Sequence, residues 1–203
     1  AAVLPVKDFD KGGFVIMATK DGTVKKTELS AYSNPRSGGI IGLTIADGDE
    51  LISADLTTGE EEVILATKLG QSIRFSEKDV RNMGRAATGV IGIRLDKNDQ
   101  VVGMEVVKPN TSLLTIAENG YGKRSSLDEY RLQSRGCTGI IAMKITDKTG
   151  NLVGIHSVAD TDHFMIVTTH GKIIRSRAKE VSVIGRSTQG VKMITPDKGE
   201  KVT

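Results

Sequence analysis

Phe14-Val-Ile-Met-Ala-Thr-Lys-Asp-Gly22 returns three times along the chain. The copies are Val63-Ile-Leu-Ala-Thr-Lys-Leu-Gly70, Leu113-Leu-Thr-Ile-Ala-Glu-Asn-Gly120 and Phe164-Met-Ile-Val-Thr-Thr-His-Gly171. Each is a short apolar run closed by a turn dipeptide, the chemistry of a tight hairpin. A return strand alternates behind it, as in Ser72-Ile73-Arg74-Phe75. A polar segment with an apolar anchor follows, at Tyr32, Val80, Tyr130 and Val181. Third strands are expected over Ile40–Ile45, Val90–Leu95, Ile140–Ile145 and Val191–Ile194. After a second turn, fourth strands are expected over Glu50–Ser53, Gln100–Val107, Asn151–Val158 and Glu200–Thr203. Helical periodicity is weak, with single turns at most over Ser76–Val80 and Leu127–Tyr130. Four strands in about fifty residues is the signature of a propeller-type blade, which must stack on its neighbours to bury its faces. The expectation is an all-β domain of four blades, over residues 8–53, 54–107, 108–158 and 159–203.

The repeat also organises the charge. Twenty-eight Lys and Arg against 25 Asp and Glu leave a net charge of only +3, too little to announce a polyanionic partner. Yet a base stands four residues after every hairpin glycine: Lys26, Arg74, Arg124 and Arg175. Further on comes an arginine in every unit, Arg36, Arg85, Arg135 and Arg186. A glycine and a β-branched residue then follow, Gly39-Ile40, Gly89-Val90, Gly139-Ile140 and Gly190-Val191. Further bases that do not repeat strictly are Lys25, Lys68, Arg81, Arg94, Lys123, Arg131, Lys172, Arg177 and Lys192.

A ring of similar blades with one basic cluster each can meet the phosphates of a wrapped duplex without reading bases. Glycine after the arginine would let the loop backbone approach a phosphate. About eight such contacts predict a slope of log K against log salt near −7. A structural reading stands beside this one. The arginines can pair with acidic residues of the next blade, and the glycines can permit a bulge. Aromatic residues are 3% of the 203 residues and Trp is absent, which argues against a site built on stacked rings. The acidic runs Glu60–Glu62 and Asp47–Glu50 are expected off any nucleic-acid path.

Other signals are bland. Cys137 is the single cysteine, so no internal disulfide or zinc knuckle is expected and a reducing cytoplasm fits best. Gly120-Tyr121-Gly122-Lys123-Arg124 sits at a hairpin turn and lacks the Gly-Lys-Ser/Thr of a phosphate loop. His156, His163 and His170 lack metal-ligand spacing, and no nucleophilic triad presents itself. No metal, cofactor or catalytic residue is expected, and no run is long enough to cross a membrane. The chain opens Ala1-Ala2-Val3 without Met, which reads as part of something longer.

The repeated arginine–glycine loop, with a base after each hairpin, resembles the C-terminal domain of the DNA gyrase A subunit. The most specific stretches are Met17–Lys26, Met83–Arg94, Glu118–Arg124 and Val183–Lys192. The passage Ala2–Val6 looks like the family's entry into its third blade, which makes these the last four of six. The resemblance implies a β-pinwheel, in which neighbouring blades exchange a strand, and an outer rim that wraps double-stranded DNA to support negative supercoiling. It implies no catalysis by this part, with the cleavage tyrosine and the ATPase elsewhere in an A2B2 complex with the B subunit, acting on the nucleoid in the cytoplasm. The family's hallmark box, Gln-Arg-Arg-Gly-Gly-Lys-Gly, has no intact copy. Gln133, Arg135, Gly136 and Gly139 form a degenerate one. The equivalent domain of topoisomerase IV, and an interaction propeller with structural arginines, are the alternatives.

Overall fold

The computed structural model describes residues 3–203. Ala1 and Ala2, and so the start of the passage Ala2–Val6, lie outside the described residues. The first repeat forms β1 (Phe14–Thr19), β2 (Thr23–Glu28) and β3 (Leu51–Thr57). The second forms β4 (Glu62–Thr67), β5 (Gln71–Ser76), β6 (Val90–Ile91) and β7 (Val101–Val106). The third forms β8 (Ser112–Ala117), β9 (Tyr121–Ser126), β10 (Ile140–Ile141) and β11 (Leu152–Val158). The fourth adds β12 (His163–Val167), β13 (Ile173–Arg177) and β14 (Val191–Lys192). A 3-10 turn follows each second hairpin strand, at Leu29–Tyr32, Glu77–Asp79, Leu127–Glu129 and Ala178–Glu180.

A hairpin strand can be continuously apolar only if both its faces are covered. The stacking of blades covers them. Val63 and Leu65 of β4 face a core shared with Ile16 and Val24, whereas Ile64 and Ala66 face another shared with Leu113 and Tyr130. Among the described residues the second face of the fourth blade has no such cover, and Met165 and Ile173 are 68% and 60% exposed.

The strand orders are β3-β1-β2-β6, β7-β4-β5-β10 and β11-β8-β9-β14, all antiparallel, with β12-β13 as a two-stranded sheet. The last strand of each four-stranded sheet comes from the following repeat. This is the strand exchange of a pinwheel. The exchanged strands are only two residues long, shorter than the sequence pattern indicated, because they meet just the first residues of β2, β5 and β9. The equivalent segment 40–45 of the first repeat joins no sheet among the described residues. The first repeat's fourth strand, in contrast, runs past the expected Ser53 to Thr57 along β1. At the opposite sheet edge, β3, β7 and β11 lie side by side. They surround an open cavity of about 420 Å³ lined by Ile52, Val101, Leu152 and Val202. Amides of Val101, Leu152 and Val202 donate to the carbonyls of Lys20, Lys68 and Glu118 in the preceding blade, at 2.8, 2.9 and 2.8 Å. The fourth strands are therefore inner and the exchanged strands outer.

The hairpin glycines carry φ near +85°: Gly22 +86°, Gly70 +86°, Gly120 +82° and Gly171 +84°. At Gly120 a Cβ would also run into the carbonyl of Ile194 on the exchanged strand, whereas at Gly171 it would meet nothing. Gly120→Ala should therefore cost clearly more stability than Gly171→Ala, which carries only the left-handed backbone penalty of about 1 to 2 kcal/mol. Urea unfolding of the two variants measures the difference, and equal losses would contradict the packing of the joint.

Candidate nucleic-acid interface

Each of the three exchanged strands is entered through an arginine–glycine loop, and the first repeat's loop leads into the equivalent unpaired segment 40–45, so the loops lie along the outer edges. They are tied to one another in the same way at each step. Arg85, Arg135 and Arg186 donate Nη1 to the carbonyls of Ile41, Ile91 and Ile141 in the preceding repeat, at 2.9, 3.1 and 2.6 Å. In return, the amides of Thr44, Arg94 and Lys144 donate to the loop carbonyls of Ala87, Cys137 and Thr188, at 3.3, 3.0 and 3.0 Å. The result is a continuous outer band. Arg36 is exposed at its head, and Arg85, Arg135 and Arg186 are half-buried. In Arg85 and Arg186 one guanidinium nitrogen is fixed on a carbonyl, and in Arg135 two are, since its Nε also donates to the Asp79 carbonyl at 2.8 Å. Arg81, Arg94, Arg131 and Lys144 are exposed along the same segments.

The loop glycines serve the joint rather than a ligand. Gly89, Gly139 and Gly190 have φ of +109°, +83° and +79°. A Cβ there would strike the carbonyls of Val24, Ser72 and Gly122. In these three loops the expected approach of the backbone to a phosphate is therefore corrected: it approaches the preceding blade, whereas a Cβ at Gly39 would meet nothing. The degenerate box behaves alike. Gln133 donates its amide to the Arg74 carbonyl at 2.8 Å and Gly136 to the Gly92 carbonyl at 2.6 Å. Of the four box residues, Arg135 alone puts a charged group on the band.

The base after each hairpin is also corrected, in favour of its structural reading. Lys26 and Arg124 are 6% and 5% exposed. Lys26 Nζ donates to the Glu77 carbonyl at 2.8 Å and faces the Glu77 carboxylate at 3.7 Å. Arg74 Nη1 donates to the carbonyls of Leu127 and Tyr130, at 2.7 and 3.2 Å, while Nε holds Glu62 at 2.5 Å. Arg124 Nε donates to the Val181 carbonyl at 2.9 Å, and Nη1 holds Asp160 at 2.5 Å. Every one of these acceptor carbonyls lies in or beside the 3-10 turn of the next blade. Only Arg175 of this column is exposed, on the uncovered face of the fourth blade.

Lys25 and Lys123, two of the further bases that would meet DNA, are instead 1% and 0% exposed. Lys25 Nζ donates to the carbonyls of Gly42 and Arg85, and Lys123 Nζ to those of Gly185 and Arg186 and to Ser125 Oγ. They hold the arginine loops from behind. Burial, reinforced by Arg85, lowers the Lys25 pKa to about 8. Burial likewise lowers Lys123 to about 8, against the pull of Glu129. Lys172 pairs with Asp197 at 3.1 Å and lies 3.8 Å from Glu200, so its charge is engaged. Lys192 lies 4.6 Å over the Tyr121 ring and donates to the Asn119 carbonyl. Arg177 is exposed. The acidic runs pair locally, Glu62 with Arg74, Glu60 with Lys78 and Glu50 with Lys20.

One member of these joints went unnoticed in the sequence. Glu77 is wholly buried and accepts from Thr57 Oγ1, Gly59 N and Glu61 N at 2.8, 3.0 and 2.9 Å. Burial first, then the neighbouring Glu61 carboxyl, pushes its pKa up. The signal lay in the repeat, where the other units place Leu29, Leu127 and Ala178 at this position.

Comparison with known proteins agrees with this geometry. A family model described as "DNA gyrase C-terminal domain, beta-propeller" matches residues 13–58, 61–108, 111–159 and 162–203. The DNA gyrase A subunit of Salmonella typhimurium is 47% identical over 201 residues, 99% of this chain and 23% of the relative. That of Halalkalibacterium halodurans is 55% identical over 202 residues, 100% of this chain and 24% of the relative. The chain thus spans about a quarter of these relatives. A solved DNA gyrase A C-terminal domain superposes with a TM-score of 0.88 at 29% identity, covering 97% of this chain and 66% of that one. The C-terminal domain of a DNA topoisomerase IV superposes at 0.92 with 24% identity, over 98% and 62% of the two chains, which shows the shared fold.

Two outcomes follow from the buried bases. Arg124→Ala should destabilise the chain by about 2 to 4 kcal/mol in urea unfolding, because it strands the Val181 carbonyl and empties the joint. Arg175→Ala should cost about 0.5 kcal/mol or less, as a surface change. The second outcome concerns pH. An unfolded lysine keeps its proton to about pH 10.5, but Lys25 and Lys123 in the fold release theirs near 8. Between these values the unfolded state binds more protons, so these two residues make stability rise with pH. Unfolding free energies of the wild type and of Lys25→Met/Lys123→Met, compared from about pH 8 to pH 10, should diverge by this slope.

Proposed function

The chain belongs to the DNA gyrase C-terminal domain family, and on that premise we propose that its outer band binds and wraps double-stranded DNA without reading sequence. In this reading the domain supports negative supercoiling by a type IIA topoisomerase and is not catalytic by itself. DNA cleavage and ATP hydrolysis belong to other parts of a longer A subunit and to a B subunit in an A2B2 complex, working on nucleoid DNA in the cytoplasm.

One observation carries the reading: the arginine–glycine loops are linked blade to blade into one outward band. A bent duplex demands contacts at successive phosphates along a curved path, since bending costs several kcal/mol that scattered contacts would not offset. Loops tied through one or two guanidinium nitrogens are already placed before DNA arrives, and the other nitrogens of these half-exposed arginines are left to meet phosphates. Arg36, Arg81, Arg94, Arg131 and Lys144 add exposed charge along the band, with Arg175, Arg177 and Lys192 on the fourth repeat.

The structure lowers the contact number that the sequence implied. Of eight repeated bases, Lys26, Arg74 and Arg124 are engaged in joints, leaving about five for phosphates. The slope of log K against log salt should therefore lie near −4 to −5 rather than −7. Replacing Arg36, Arg85, Arg135 and Arg186 together by Ala should make the slope shallower by about 3 to 4. It should also abolish the linking-number shift trapped when a nicked circle is sealed on the protein. Absence of duplex binding at low salt would overturn the assignment.

A further inference from the structure

The outer band carries aliphatic side chains at one fixed place, a feature that phosphate binding does not call for. Ile41, Ile91 and Ile141 occupy the second position of the exchanged strand or its counterpart, and are 63%, 55% and 42% exposed. Lys192 stands at this position in the fourth repeat and is exposed as well. A single exposed isoleucine is ordinary. Three at equivalent positions along the outer edge of successive repeats are not, because each is bonded to the band's own arginine. The carbonyls of Ile41, Ile91 and Ile141 receive Arg85, Arg135 and Arg186, so every isoleucine has a guanidinium fixed beside it.

An aliphatic group next to an arginine suits one part of a duplex. Phosphate oxygens want donors and gain nothing from a methyl group. The minor groove combines walls of deoxyribose C–H with a strongly negative potential, deepest where A·T tracts narrow it. Resting on the wrapping reading above, we propose that the pairs Ile41–Arg85, Ile91–Arg135 and Ile141–Arg186 face the minor groove where the wrapped duplex turns it inward. The guanidinium is held at the groove mouth, and the isoleucine packs on the sugar walls. No base-edge hydrogen bond is required, so the contact tolerates any sequence. Narrow grooves are nevertheless preferred, which favours A·T tracts repeated about every 10 bp in phase with the wrap.

The test uses the chain itself with short duplexes and separates this idea from wrapping in general. Ile41→Ser/Ile91→Ser/Ile141→Ser should lose on the order of tenfold in affinity while its salt slope stays that of the wild type, because apolar contacts release no counterions. The matching triple Leu variant should keep wild-type affinity. Unchanged affinity of the Ser variant, or a loss accompanied by a shallower slope, overturns the proposal, the latter because the isoleucines would then merely position the arginines. With the unaltered chain, phased A·T tracts are exchanged for I·C tracts, which keep the A·T minor-groove pattern but lack the thymine methyl in the major groove. Retained preference supports the minor-groove contact, and lost preference overturns it even if the Ser variant fails to fold. A wild type that binds no duplex at any salt sinks the wrapping reading instead.

Discussion

The architecture depends on one joint. The carbonyl of a hairpin glycine in one blade receives the amide of the residue directly after the exchanged strand of the next repeat: Gly22 from Gly92, Gly70 from Ala142 and Gly120 from Met193, each at 2.8 Å. A hairpin alone leaves its outer strand with unpaired backbone groups, which an isolated blade could satisfy only with water. Borrowing a strand from the next repeat closes that edge. It also carries an arginine loop to the periphery at every step. Backbone can come this close only where a Cβ is missing, which explains the glycines on both sides of the joint: Gly22, Gly70 and Gly120 lie against the carbonyls of Ile93, Met143 and Ile194, and Gly89, Gly139 and Gly190 against those of Val24, Ser72 and Gly122.

The same joint explains where the charge went. A polar side chain entering a blade interface must find partners for all its donors, or the lost hydration is not recovered. The next blade's 3-10 turn offers main-chain carbonyls for this purpose, and Lys26, Arg74 and Arg124 take them. Lys25 and Lys123 do the same for the loop behind Arg85 and Arg186. Their repetition along the chain therefore records a repeated packing problem. The net charge of +3 does not describe the outer surface, because several of the 28 bases lie inside.

A band assembled in this way is rigid before it meets a ligand, which reduces the ordering cost of binding. Arg85 and Arg186 each commit one nitrogen to the scaffold, Arg135 commits two, and each keeps the others. Position is thus supplied by the fold, and affinity is left to the exposed donors. The fourth repeat differs: β13 has no outer partner among the described residues, and Arg175, Ile173 and Met165 are exposed.

The amino-acid sequence by itself determined the repeat, its hairpins, two of its four 3-10 turns and the position of the arginine loops along the chain. All of these are written in local pattern: an apolar run, a turn glycine, a fixed interval to the next arginine. It also carried enough specific residues to indicate the family. Only the tertiary structure decided which repeated base faces solvent. Arg74 and Arg85 are equally regular in the sequence, yet one is stapled beneath the next blade and the other rides on the band. Periodicity tells which side chains share a face. Whether that face meets water or a neighbour is settled by the exchange of strands and the stacking of blades, contacts between residues some fifty positions apart that local pattern does not encode.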